Sequence, residues 1–178
     1  LFKASGEEIF IGSGAVGLLG FSGIDLNSDG AITFVGGIRE TKDAQDNFVY
    51  SQSTLYTGDA DLRMKAAKVT GTYLMYQKKD DGSYVPLVDG SQYPEQGEID
   101  EILYEPLDFL VDSGNGTISV TQGLVGSDPG KSMGGRLTFQ GKTIENSGTI
   151  DLDSGIIHFK ALEGIRMEPG AKVLAQGK

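Results

Sequence analysis

From Gly134 to Lys178 the chain repeats one short phrase six times: RLTFQG, TIENSG, TIDLDSG, IIHFKALEG, IRMEPG and AKVLAQG. Its leading apolar residues, Leu137, Ile144, Ile150, Ile157, Ile165 and Val173, fall six to eight residues apart. That interval is too short for a helix with its turn, and too even for hairpins with mixed loops. A reused strand and turn is the unit of a parallel β-solenoid, where each repeat buries its apolar side against the next. Three such phrases make about one coil of ~20 residues, so every third strand is expected above an equivalent one. Ile118, Leu137 and Ile157 are 19 and 20 residues apart, and Val120, Phe139 and Phe159 follow each of them by two. Leu124, Ile144 and Ile165 are 20 and 21 apart. Two columns with one period predict an all-β chain, wound as a right-handed parallel β-helix with three short strands per coil.

Upstream the same rhythm appears in other residues. Ile9/Ile11, Val16/Leu18, Ile24/Leu26 and Ile32/Phe34 give the apolar-x-apolar alternation of strands at intervals of seven to eight residues. Arg39 to Ser53 is polar and is expected to loop out, after which Leu55, Leu62 and Val69 resume the spacing. Residues 72–113 depart from it. Asp81-Gly82 is a hairpin signal, and an acidic run, EQGEIDEILYEPLDFLVD, follows Tyr93-Pro94. From Gln77 to Gly114 there are ten acidic residues and two lysines, against 15 acidic and 13 basic residues elsewhere. The expected organisation is one domain: coils over 1–71, a hairpin-containing insertion over 72–113, and coils over 114–178.

Twenty-seven glycines and five prolines suit a fold of many tight turns. A hydrophobic content of 38% is ample for a core in 178 residues. No stretch approaches the ~18 apolar residues of a membrane span, so no membrane insertion is expected. The formal charge of −10 argues against nucleic acid and anionic lipid, which require a basic patch. Zero cysteines removes disulfides, thiol catalysis and cysteine metal sites. Both ends fall within strand-like sequence, LFKAS and AKVLAQGK, without a capping segment. Because solenoids need caps, the expectation is a fragment of a longer protein.

Several motifs resemble chemistry. Gly12-x-Gly14-x-x-Gly17 has the spacing of a dinucleotide fingerprint, which requires a helix next. Glycines at 17, 20 and 23 disfavour one, each costing about 1 kcal/mol in a helix interior, so turn glycines are the preferred reading. Asp25, Asn27 and Asp29 are candidate metal ligands, matching the opening of a calcium loop. Gly36 occupies the position where a bidentate glutamate belongs, so a turn is preferred and no metal is expected. His158, the single histidine, alternates with Ile157 and Phe159 and should face outward. Asp151 and Glu168 are isolated outward acids, so nothing marks a catalytic pair, and neither an enzyme nor a cofactor is expected. Tyr73, Tyr76, Tyr84, Tyr93 and Tyr104, with Glu98, Asp100 and Glu101, are the candidate binding residues, since solenoid insertions fall on one face, often the binding face.

The stretch GGRLTFQGKTIENSGTIDLDSGIIHFKALEGIRMEPGAKVLAQG resembles the repeat region of filamentous-haemagglutinin-like secreted exoproteins. Those carry strings of the type G-G-x-hydrophobic, I-x-N-x-G-x-I and P-G-A-x-V-x-A-x-G. The resemblance covers about 45 residues well, and Leu1 to Thr70 more loosely through GIDLNSDGAITFVG and DADLRMKAAKVTG. It implies two-partner secretion through an outer-membrane transporter, a location outside the bacterial cell or on its surface, and a role in adhesion. Neither the Asn-Pro-Asn turns of the family's secretion domain nor an Arg-Gly-Asp motif occurs. The expected function is therefore a structural and adhesive stalk that presents the tyrosine-rich acidic loop to a cell-surface glycan or protein receptor. The alternative is a β-helical carbohydrate-active enzyme or tailspike-like depolymerase, which would show two carboxylates about 5–9.5 Å apart in a cleft.

Overall fold

Short runs that alternate apolar and polar residues, each cut by a turn, give strands throughout. A computed structural model describes residues 1–36, 39–42, 45, 48–78, 81, 84–87, 102–105, 107–124 and 134–175, and among them there is no helix. The first strands are β1 (Phe2–Gly6), β2 (Ile9–Ile11), β3 (Ala15–Gly17), β4 (Gly23–Ser28) and β5 (Ala31–Val35). After β6 (Arg39–Lys42) and β7 (Phe48–Ser51) come β8 (Ser53–Tyr56), β9 (Asp61–Ala66) and β10 (Lys68–Thr72). Next are β11 (Leu74–Lys78), β12 (Tyr84–Leu87) and β13 (Ile102–Glu105), then β14 (Asp108–Asp112) and β15 (Thr117–Gln122). The chain closes with β16 (Gly135–Asn146), β17 (Thr149–Asp151), β18 (Gly155–Met167) and β19 (Lys172–Leu174).

Most of these strands pair in parallel, in three ladders that the chain visits in rotation. Phe2, Ile24, Leu62, Ile118, Ile144 and Ile165 are successive register partners in the first. Ile9, Ile32, Val69, Ile150 and Val173 follow one another in the second. Val16, Leu55, Val111, Phe139 and Phe159 form the third. β16 and β18 are long because each runs from the third ladder into the first, with a register shift between Gly141 and Thr143. The result is an all-β fold of mostly parallel, curled sheets, resembling a β-helix.

Inward residues of the three ladders fill one core. Ile24, Ile32, Phe34, Leu62, Phe109, Ile118, Leu137, Phe139 and Ile144 are fully buried. Phe34 packs on Phe109 with ring centroids 4.9 Å apart, and Phe139 stacks on Phe159 at 5.6 Å. Such pairs are worth about 0.5–1.5 kcal/mol beyond the area they bury. In β5 all five residues, Ala-Ile-Thr-Phe-Val, are buried. Burial of successive residues, with Thr33 the one polar member, is the mark of a parallel strand covered on both faces.

The expected columns are right in part. Leu137 lies opposite Ile157, Phe139 opposite Phe159, and Ile144 opposite Ile165. Ile118, however, belongs with Leu62 and Ile144, and Val120 with Met64 and Asn146. Leu124 joins no column and is 75% exposed. The physical reason is the long interval between β15 and β16, which breaks the constant period. After β15 the Gly123 N–H donates to the Ala66 carbonyl at 2.7 Å, and the next strand among the described residues is β16. The second ladder therefore lacks a strand at this level, and β10 pairs directly with β17. The insertion also ends earlier than 113. Leu107, Phe109 and Val111 are buried in the core, and β14 pairs with β8 and β16.

Candidate binding edge

The excursions begin and end at neighbouring points of the stack. The first leaves after β5 and the second after β10, and these strands are register partners up to Val35 and Thr72. Gly36 N–H donates to the Thr72 carbonyl at 3.1 Å, so the two exits are hydrogen-bonded to each other. The returns are joined in the same way. Gln52 Nε2 donates to Asp108 Oδ1 at 2.5 Å, and Arg136 N–H donates to the Leu107 carbonyl at 2.7 Å. The strands that follow these interruptions, β8, β14 and β16, thus form one row.

Glycine makes these corners possible. Gly36 has φ of 108° and lies against Ser13, where a Cβ would overlap the serine side chain. Gly135, with φ of 95°, lies against Leu107 in the same manner. Both conformations favour a residue without Cβ.

Beyond the exits the pairing becomes antiparallel. The first excursion carries the β6–β7 hairpin, with Thr41 opposite Val49. The second carries a three-stranded sheet in the order β12-β11-β13. Tyr73 is half-buried at its exit. Tyr76 stands in β11 opposite Pro86 and Leu103, Tyr84 in β12 opposite Lys78, and Tyr104 in β13 opposite Met75. Register thus brings Tyr76, Tyr84 and Tyr104 onto one small sheet. Tyr93, Glu98, Asp100 and Glu101 lie outside the described residues. Tyr50, in β7 of the neighbouring excursion, was not among the expected residues; its signal was a tyrosine in the other segment that leaves the rhythm.

The remaining motifs have local explanations. Gly12, Gly14 and Gly17 connect or end β2 and β3, with Gly14 N–H donating to Ser53 Oγ at 3.0 Å. Asp25 accepts a hydrogen bond from Arg63 Nη1 at 2.8 Å. Asp29 sits in a turn tied to the preceding coil, where its N–H donates to the Gly6 carbonyl. Ser28 Oγ secures the same turn through the carbonyls of Glu7 and Ala31. Among the described residues no three acidic or histidine side chains are grouped to hold a metal ion. His158 is exposed on β18. Asp151 lies 4.0 Å from Lys68 Nζ and Glu168 lies 2.5 Å from Arg166 Nε, so each outward acid faces a cation. Comparison with family models, curated proteins and solved structures finds no match.

Proposed function

We propose that this chain is a non-enzymatic, structural and adhesive segment of a secreted bacterial surface protein of the filamentous-haemagglutinin-like kind. In this reading the parallel ladders are a right-handed β-helix with three strands per coil, the hand that parallel crossovers take in about 98% of cases. The helix is a stiff stalk, and the tyrosine-bearing excursion is its contact element for a cell-surface glycan or protein receptor. Export of the full-length protein would use an outer-membrane transporter.

The observation that carries this reading is the grouping of excursion roots along one edge of a filled stack. A packed core that holds no tyrosine among the described residues supplies rigidity, while the excursions supply side chains suited to recognition. Tyrosine combines a flat apolar face with a polar tip, and it recurs in interface hot spots.

The test is replacement of residues 74–105 by a short Gly-Ser linker, followed by glycan-array and host-cell attachment assays. The variant should keep its far-ultraviolet circular dichroism and a cooperative thermal transition, and lose attachment seen with the intact chain. Attachment equal to that of the intact chain would overturn the assignment of the contact element.

A further inference from the structure

The second ladder closes over its missing strand in an unusual way. β5 and β10 share five register pairs, from Ala31↔Lys68 to Val35↔Thr72. β17 and β19 share three, whereas β10 and β17 share one, Val69↔Ile150. Side chains add to that single pair. Thr70 Oγ donates to the Asp151 carbonyl at 2.6 Å, and the Asp151 carboxylate lies 4.0 Å from Lys68 Nζ. Gln122, the last residue of β15, spans the same junction. Its Nε2 donates to the Ala67 carbonyl at 2.9 Å, and its Oε1 accepts from Thr149 Oγ at 3.0 Å. A side-chain amide thus links the residue that precedes β10 to the first residue of β17.

We propose that the β10–β17 junction is a built-in joint of the stack, the interior seam that opens first, where Thr70, Gln122 and Asp151 reinforce a single backbone pair. A long backbone ladder shares its load over successive peptide groups, whereas this junction has one register pair and side-chain bonds, two of the side chains partly open to water. Gln122 is exposed, so water competes directly for its hydrogen bonds. The joint also lies beside the tyrosine-bearing excursion, because β11 follows β10 after one residue. Tension on that excursion is delivered to the strand whose outer pairing is weakest. The proposal rests on the stacked-coil reading above, and it makes the contact element and the joint one mechanical unit.

Native-state hydrogen exchange of the intact chain, read by mass spectrometry with fragments resolved to single strands, tests this. Amides of 149–151 should exchange about tenfold or more faster than those of 143–146, which lie in the same coil but in the first ladder. Gln122→Ala and Thr70→Val should each accelerate exchange further in 68–72 and 149–151, and leave 31–35 unchanged. Thr70→Val removes one hydroxyl hydrogen bond and keeps the side-chain shape, so it serves if Gln122→Ala disturbs folding. Equal exchange in 149–151 and 143–146, or equal acceleration in every strand of the variants, would overturn the joint. Failure of the stacked-coil reading would look different, with protection already lost at 31–35 in the unaltered chain.

Discussion

Phe34 and Phe139 meet edge to face inside the stack, with ring centroids 6.4 Å apart and planes 82° from parallel, although β5 and β16 belong to different ladders. Phe139 also stacks on Phe159, and Phe34 meets Phe109 with its ring tilted by 51°, so one chain of rings crosses the interior. Phe139→Ala should cost about 3–5 kcal/mol, a fall in Tm of about 6–20 °C at this chain length. Phe159 is only partly buried, and Phe159→Ala should cost about 1–2 kcal/mol. Calorimetry of the two variants checks the order; equal losses would contradict it.

Gly36 and Gly12 should respond unequally to alanine. At Gly36 the positive φ alone costs about 1–3 kcal/mol for a residue with a Cβ, and overlap with Ser13 adds to it. At Gly12 an added Cβ meets nothing within 4 Å, so Gly12→Ala should change stability by less than about 0.5 kcal/mol. Urea midpoints of the two variants decide the matter. A comparable loss at Gly12 would mean that this glycine does more than link two strands.

Stability should not depend on calcium. Asp25 is engaged by Arg63, and the Asp29 turn is held by backbone and serine hydrogen bonds. Tm should be the same in calcium and in chelator, for the intact chain and for Asp29→Ala. A bound ion at one hundred times its Kd would add about 2.7 kcal/mol. A rise in Tm with calcium that Asp29→Ala abolishes would reverse the prediction.

Two deletions that differ at their C-terminal limit should behave differently. Removing 74–105 leaves Leu107, Phe109 and Val111 in the core. Removing 77–113 takes all three, together with the strand that bridges β8 and β16. The first should retain a cooperative melt and the second should lose it, since truncating even one buried leucine or phenylalanine costs about 2–5 kcal/mol. Retained cooperativity in the longer deletion would show that β14 is dispensable to the stack.

Much of the stack could be read from the chain because each strand carries its own signature. Leu137, Ile144, Ile150, Ile157, Ile165 and Val173 occupy the three ladders in turn, and the pairs from Ile9/Ile11 to Ile32/Phe34 mark real strands. The missing strand was not legible. Leu124 stands where a constant period puts the next inward residue, and nothing local distinguishes a strand that joins a ladder from a segment that leaves it. Register partners are set by long-range pairing, so Ile118 could be matched to Leu137 by distance along the chain, when its partner is Ile144. Phe109 and Val111 were hidden because Asp108 and Asp112 flank them with charge that belongs to the outer side of the strand. The tyrosines of the candidate site could be counted, but not that their segment is rooted beside that of Tyr50.

The hydrogen-bonded exits at Gly36 and Thr72 have a consequence for how such a chain can change. An excursion fixed at both ends to a filled stack adds no demand on the core, whatever its content. Its closure cost rises only with the logarithm of its length, about 0.6 kcal/mol for each doubling. Unrelated cassettes could be exchanged between β10 and β14 while the coils beneath stay the same. Diversity of ligand would then accumulate at one margin of the molecule, and the scaffold would be free to remain monotonous.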